Sequence, residues 1–162
     1  MPLEFKTGEQ WDASRLREWK SWVKAPAQKA FLDRHQDADI PSLMLRYSEA
    51  ADKQLLLSQI AAHQQIRKKL PSWYARWTLM LPARLHLEQA SSEAMARLKA
   101  QIIDPAGAAL VDLTGGTGVD FWQLSQRAGS ARLVEPHAPL ARLTQHNLAE
   151  LGLEAPTEIM TA

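Results

Sequence analysis

The chain has 162 residues, of which 46% are hydrophobic and 23% charged, and its formal net charge at pH 7 is +1. This length allows one domain, or one domain and part of another, and the composition is that of an ordinary globular protein. The sequence has no cysteine, which excludes disulfides and thiolate metal sites. Its five histidines do not have the spacing of a metal-binding ladder, so we expect no metal site.

The N-terminal residues Met-Pro-Leu-Glu-Phe-Lys lack the apolar core of a signal peptide. No run of apolar residues approaches the 18 or more that a membrane span needs. We therefore expect a cytoplasmic protein with no membrane association.

Charge is distributed unevenly along the chain. Residues 1–100 carry 16 Lys and Arg against 11 Asp and Glu, whereas residues 101–162 carry 3 against 7. This asymmetry is consistent with two modules, with a polyanionic substrate bound by the first, or with an ordinary solvated helical surface.

The first 103 residues have helical periodicity, interrupted by prolines. Leu43, Met44 and Tyr47 would face inward from the third helix, and Leu56, Ile60, His63 and Ile66 would form one buried stripe of the fourth. The predicted helices run from about Glu9 to Val23, Pro26 to His35, from Asp39 or Pro41 onward, Asp52 to Leu70, and from a Ser91 or Ser92 cap to Ile103. Between Pro71 and Gln89 we expect a short helix, a turn at Pro82 and an irregular stretch.

From residue 104 the pattern changes to alternating strands and helices. The run Ala108–Leu113 is wholly apolar up to Asp112, which is typical of a buried parallel strand. The remaining predicted elements are a loop at 114–118, a helix at Val119–Arg127, a strand at Ala131–Glu135, a helix from Pro139 to about Leu151 and a strand within Thr157–Met160. This order predicts a right-handed parallel α/β unit.

Three glycines, Gly115, Gly116 and Gly118, lie where the first strand passes into a helix. We expect them to let the backbone approach a ligand where a Cβ would collide with it. A dinucleotide fingerprint would have a third glycine at the position of Phe121, and Asp120 would repel a pyrophosphate, so an NAD-linked oxidoreductase is disfavoured.

Acidic residues accompany the glycines and favour S-adenosylmethionine (SAM) instead. Its ammonium group would be matched by Asp112 or Asp120, and its ribose hydroxyls by Glu135, which ends the second strand. The distance of Glu135 from the glycines resembles the acidic ribose-binding position of nucleotide folds.

The stretch Asp112-Leu-Thr-Gly-Gly-Thr-Gly-Val-Asp120 resembles motif I of class I SAM-dependent methyltransferases, and Glu135 resembles their acidic residue after the second strand. The stretches Leu70-Pro-Ser-Trp73 and Leu87–Glu93, with Pro82 between them, are similar to a narrower group. These are bacterial methyltransferases with a helical N-terminal domain and a THUMP-like C-terminal region. Thr114 departs from the glycine that is common at its position.

The resemblance implies an α/β protein in which a helical domain at residues 1–103 precedes part of a SAM-binding domain at 104–162. The second part would be the first βαβαβ portion of a truncated, Rossmann-like methyltransferase sheet. Catalytic residues would lie beyond Ala162, so none is assigned. The implied SAM-binding residues are Asp112, Thr114, Gly115, Gly116, Gly118, Asp120 and Glu135.

The resemblance also implies methyl transfer, with a nucleic acid base, RNA first, as acceptor. A basic and aromatic cluster could bind RNA or could be a helix end beside core tryptophans; its members are Arg67, Lys68, Lys69, Trp73, Tyr74, Arg76, Trp77 and Arg84. Residues Glu88–Ser92 would lie near the cofactor or simply cap a helix. The alternative function is that of a non-catalytic binding or interaction protein that retains a SAM-type site.

Overall fold

The computed structural model describes residues 12–153 and 159–160, which form nine helices and three strands. Before the sheet come α1 (Ala13–Trp22), α2 (Pro26–His35), α3 (Ile40–Arg46), α4 (Ala51–Ile66), α5 (Pro71–Tyr74), α6 (Arg84–Gln89) and α7 (Glu93–Ile103). Then follow β1 (Ala109–Asp112), α8 (Val119–Ser125), β2 (Ser130–Val134), α9 (Ala138–Glu150) and β3 (Ile159–Met160). The predicted start of the first helix at Glu9 lies outside the described residues.

Local sequence signals position the first three helices: side-chain caps begin α1 and α3, and Pro26 begins α2 without a side-chain cap. Oδ1 of Asp12 accepts from the backbone N–H of Ser14, 2.8 Å away, at the start of α1. Asp39 caps α3 in the same way, and α2 has the predicted bounds. Of the residues predicted to face inward from α3, Leu43 and Tyr47 are partly buried against the core, but Met44 is 38% exposed and is not part of that cluster, so the prediction for Met44 was wrong.

The predicted stripe of α4 is confirmed, since Leu56, Ile60, His63 and Ile66 are all fully buried. The helix ends at Ile66 instead of Leu70, so the basic residues that follow lie in a turn.

The irregular stretch expected before Gln89 is helical, as α6. No side chain caps its N-terminus. Its support is tertiary: Leu87 is fully buried, and the Lys69 ammonium donates to the backbone carbonyls of Leu87 and Glu88 at 2.9 and 2.8 Å. Long-range contacts of this kind leave no local sequence signal.

The three strands are parallel in the order β1–β2–β3, as the alternation of strands and helices predicted. The burial predicted for the first strand was wrong: Val111 is 52% exposed and Leu113 is 71% exposed. Successive side chains of a strand point to opposite faces. Ala131 and Leu133 of β2 face a cluster with Phe121 of α8, whereas Val111 belongs to the other face, which the described residues leave exposed there.

Hydrophobic clusters cross the predicted domain boundary. One cluster of the helical part includes Leu143 of α9. Another joins Ile66 and Trp73 to Val119 and Leu151. The division between residues 103 and 104 therefore stays a prediction. Within residues 12–153 and 159–160, none of the helices combines the length and apolar character needed to cross a membrane.

Candidate functional site

A cleft of about 340 Å³ opens where β1 passes into the glycine loop. In parallel α/β sheets this end of the strands is where ligands bind. The cleft is lined by His86, Gln89, Ala90, Ser91, Lys99, Asp112, Thr114, Gly115, Gly116, Thr117, Val119 and Asp120. It thus brings together five of the seven predicted binding residues; Gly118 and Glu135 are not part of its lining.

Asp112, the last residue of β1, shapes the start of the loop. Its Oδ1 accepts from the Thr114 backbone N–H at 2.9 Å and from the Thr114 hydroxyl at 3.2 Å. Its Oδ2 has no hydrogen-bond partner among the described residues and remains available as an acceptor in the cleft. The residue that departs from the glycine-rich pattern, Thr114, therefore serves to orient this carboxylate.

Gly115 and Gly116 line the cleft. Glycine is required at these positions for packing and for backbone conformation, and not to make space for a ligand. A Cβ on Gly115 would lie 2.4 Å from Cδ2 of Leu133, so glycine there permits close packing of the loop on β2. Gly116 has a φ of +51°, a left-handed conformation that favours glycine.

Gly118 faces α9 and not the cleft, which corrects the expectation that its missing Cβ makes room for a ligand. Its φ is +78°, and a Cβ would lie 2.7 Å from Cγ2 of Thr144. The Thr144 hydroxyl also donates to the Gly116 carbonyl at 2.7 Å, so this buried residue fixes the loop from behind.

Glu135 follows β2 and is 8% exposed. Its Oε2 accepts from the Gly116 backbone N–H at 2.8 Å, and its Oε1 accepts from the His137 backbone N–H at 2.8 Å. The carboxylate thus ties the glycine loop to the end of the second strand. Each ionised oxygen has a further lone pair and can accept a second hydrogen bond.

Asp120, at the start of α8, already has a cationic partner. Its Oδ2 accepts from the Lys99 ammonium at 2.7 Å and from the Ser91 hydroxyl at 2.8 Å. The expectation that Asp120 would meet a ligand ammonium is therefore revised, because Lys99 largely neutralises its charge. Within the part of the chain that the structure describes, Asp112 is the acid of the cleft that has no cationic partner.

Sequence reasoning missed Lys99 and His86. Lys99 reaches Asp120 from α7 across 21 positions of the chain, and no spacing rule connects them. The His86 ring is stacked on the His137 ring with 6.2 Å between centroids. In the described part of the chain, no three His, Asp or Glu side chains are grouped closely enough to hold a metal ion.

The two upstream stretches that carry the narrower resemblance lie against each other. The Ser72 hydroxyl and backbone N–H donate to the carboxylate of Glu93 at 2.7 and 3.0 Å. Glu93 is 2% exposed and also pairs with Arg97. These contacts fix the beginning of α7, and with it the positions of Ser91 and Lys99 at the cleft.

Most members of the basic and aromatic cluster have partners within the fold. Trp73 is fully buried, Arg67 pairs with Asp37 at 2.5 Å, and the Arg76 guanidinium donates to the Glu150 carbonyl at 2.7 Å. These contacts give the cluster a structural role, and RNA binding by it stays a prediction.

No protein-family model and no curated protein sequence matches the chain. Among solved structures, the chain is similar to the crystal structure of a "putative methyltransferase" from Porphyromonas gingivalis W83, with a TM-score of 0.68 and 25% sequence identity. The match covers 94% of this chain but only 36% of the other chain. The similarity supports a methyltransferase-like fold for these residues.

Proposed function

We propose that the chain carries the SAM-binding part of a methyltransferase. The observation that supports this most is the cleft at the end of β1, where Asp112, Thr114 and Gly116 come together. Asp112 offers the cleft a carboxylate oxygen that no described residue occupies, which suits the ammonium of an amino-acid group. The similarity to a solved structure of methyltransferase type is consistent with this function.

Each predicted binding residue has a role in the proposal. Asp112 would accept from the ammonium, while Thr114 holds Asp112 in place and Gly116 lines the cleft. Glu135 would accept from the ribose hydroxyls with the lone pairs that Gly116 and His137 leave open. Gly115, Gly118 and Asp120 would act indirectly, by setting the loop and the cation beside it.

When bound, SAM supplies a methyl group on a sulfonium for direct displacement by a nucleophile. The residues of this chain would contribute by holding and aligning that group, because proximity and orientation account for much of the rate in such reactions. We place the acceptor-binding and catalytic residues outside this chain, since motif I and the acidic residue after β2 belong to cofactor binding. The proposed acceptor is a nucleic acid base, RNA first.

The finer fold assignment is also a proposal: the sheet would be the first part of a larger Rossmann-like sheet. Parallel sheets are normally covered on both faces. Here Val111 on β1 and Leu113 directly after β1 are exposed, and Ile102 is 74% exposed on the helix before the strand. Further strands and helices of a complete methyltransferase would cover these residues.

The same exposed residues favour a second candidate function, that of a non-catalytic binding protein. A partner could cover the open face of β1 while the cleft still binds the nucleoside. Methyl transfer by a longer form of the polypeptide would separate the two candidates, because only the methyltransferase proposal requires turnover.

Calorimetric titration of the chain with SAM, S-adenosylhomocysteine (SAH) and NAD tests the binding proposal. We expect binding of SAM and SAH in preference to NAD. Asp112→Asn removes the charge but retains an oxygen to accept from Thr114, so it should weaken SAH about 10-fold or more without loss of fold. Asp37→Asn, which removes an exposed carboxylate paired with Arg67, is the matched control and should leave affinity unchanged. Tight NAD binding without SAH binding would overturn the proposal.

A further inference from the structure

The Lys99 side chain lines the cleft from α7 and is 40% exposed. Its ammonium donates to Oδ2 of Asp120 at 2.7 Å and to the Ser91 hydroxyl oxygen at 2.9 Å. An ammonium has three N–H donors, so two are used and one remains for a ligand. Lys99 can therefore contact a ligand without giving up either of its protein partners.

Lys99 is also held in place. Ser91 donates to the same Asp120 oxygen that accepts from Lys99, so the three polar groups form a closed triangle. The helix that carries Lys99 is fixed at its first residue by the contacts of Glu93 with Ser72. A lysine whose ammonium and whose helix are both held in place loses less conformational entropy when it binds a ligand.

Two charged groups line the cleft. One is Asp112, which has no cationic partner among the described residues, and the other is the Lys99–Asp120 ion pair, whose ammonium has one N–H still unused. A purely anionic group such as a pyrophosphate would meet two carboxylates here. A purely cationic group would meet Lys99. An α-amino-acid group carries one charge of each sign and matches both Asp112 and Lys99.

We infer that Lys99, held by Ser91 and Asp120, binds the carboxylate of an α-amino-acid group in the same cleft in which Asp112 binds its ammonium. This inference rests on the proposed function, because it assigns a binding residue to the amino-acid end of the proposed ligand. It also gives Asp120 a positioning role: its carboxylate holds the cation instead of meeting the ligand.

Two nucleosides that differ by one carboxylate test the inference: SAH, and 5′-(3-aminopropylthio)-5′-deoxyadenosine, which retains the ammonium of SAH but lacks the carboxylate. Affinities for the full chain are measured by calorimetric titration. Lys99→Met should lower the affinity for SAH about 10- to 100-fold, the range of a lost charge-assisted hydrogen bond. It should change the affinity for the aminopropyl nucleoside by less than about 2-fold. Lys99→Arg should restore much of the SAH affinity. Asp112→Asn should weaken both ligands.

Lys20→Met is the matched control, because Lys20 is 44% exposed and pairs with the carboxylate of Glu150 away from the cleft. It should change neither affinity. Lys99→Met could impair folding by leaving Asp120 without its cation. The double variant Lys99→Met with Asp120→Asn removes both charges, and it should lose affinity for SAH to the same extent while its affinity for the aminopropyl nucleoside is unchanged.

The outcomes separate the inference from the function on which it rests. If the wild type binds SAH and Lys99→Met binds it equally well, the inference is overturned and the proposed function stands. Equal weakening of both nucleosides by Lys99→Met also overturns the inference, since it indicates collapse of the cleft. A wild-type chain that binds neither nucleoside overturns both.

Discussion

The carboxylate of Glu135 accepts from the backbone N–H of Gly116, 2.8 Å away, and so connects the end of β2 to the loop that leaves β1. The same carboxylate accepts from the N–H of His137. An acidic residue at this position therefore has a structural role in the chain itself, in addition to its proposed contact with ribose. Replacement of Glu135 by alanine would remove both roles at once, so their effects could not be separated.

Glu135→Gln is the sharper substitution. Glutamine keeps one acceptor oxygen, so one of the two backbone N–H groups loses its partner while the shape is preserved. Because the site is nearly buried, we expect the free energy of unfolding to fall by about 1–3 kcal/mol, measured by urea denaturation. Affinity for SAH should fall in the same variant.

Glu88→Gln is the matched control for this change. The Glu88 side chain is 48% exposed, and its ion pair with Arg84 lies at the surface, so its loss should cost less than about 0.5 kcal/mol. Equal stabilities of Glu135→Gln and Glu88→Gln would show that the carboxylate does not hold the loop.

Gly118→Ala tests whether the packing of α9 requires glycine at this position. Alanine would have to adopt a φ of +78° and place its Cβ 2.7 Å from Cγ2 of Thr144. Gly107 has a φ of +72° with no atom within 4 Å of the added Cβ, so Gly107→Ala isolates the backbone strain, about 1–2 kcal/mol. We expect Gly118→Ala to lower the free energy of unfolding, measured by urea denaturation, by at least about 1 kcal/mol more than Gly107→Ala does.

Thr144→Ser provides the rescue, because it removes Cγ2 but keeps the hydroxyl that donates to the Gly116 carbonyl. In a double-mutant cycle, Gly118→Ala should be less destabilising in the Thr144→Ser background, by about 1 kcal/mol or more. Additive effects of the two changes would contradict the predicted collision.

Local patterns allowed much of the fold to be predicted, where the physical cause is itself local. Asp39 and Ser92 cap helices by bonds to residues three positions away, and Pro26 begins α2 as predicted. Elements that depend on distant partners were missed. The α6 helix depends on burial of Leu87 and on the Lys69 ammonium, and neither can be inferred from its own six residues.

The candidate site shows the same division. The spacing of Asp112, Gly116 and Glu135 indicated where the chain would come together, because the ends of adjacent parallel strands meet at one edge of a sheet. The spacing did not indicate what each residue contacts. The pairing of Asp120 with Lys99 depends on how α7 packs on α8, and the same packing places the Lys99 ammonium in the cleft.

Burial of His63 predicts that the stability of the protein depends on pH. Desolvation lowers the pKa of His63 from 6.5 to about 4, against the smaller opposing effect of its hydrogen bond to the Tyr74 carbonyl. Because the folded-state pKa is below the unfolded one, the unfolded state binds the proton more readily. The stability linked to neutral His63 is present above pH 6.5 and is lost as the pH falls towards 4, by up to about 3 kcal/mol.

His63→Gln checks this linkage, since glutamine can donate to the Tyr74 carbonyl but does not titrate. We expect the free energy of unfolding of the wild type, relative to His63→Gln, to decline between pH 6.5 and 4 and to be constant above that range. Parallel pH profiles for the two proteins would show that His63 is not the group responsible.

Asn147 tests whether the two predicted domains fold independently. Its Oδ1 accepts from the Met80 backbone N–H at 2.9 Å, and its side-chain N–H donates to the Met80 carbonyl at 2.9 Å. It is 2% exposed and links α9 to the segment before α6. Asn147→Ala should leave both backbone groups of Met80 unpaired in a buried site and cost about 2–4 kcal/mol.

Gln59 makes the same pair of bonds to the backbone of Leu81, but both residues lie before the predicted boundary. We expect Gln59→Ala and Asn147→Ala each to lower protection from amide hydrogen exchange in peptides from both sides of residue 103. The reason is that one hydrophobic cluster contains Ile66 and Trp73 together with Val119 and Leu151, so opening either side exposes the other. Independent domains would behave differently: Gln59→Ala would then lower protection before residue 103 and leave the sheet with its wild-type exchange rates.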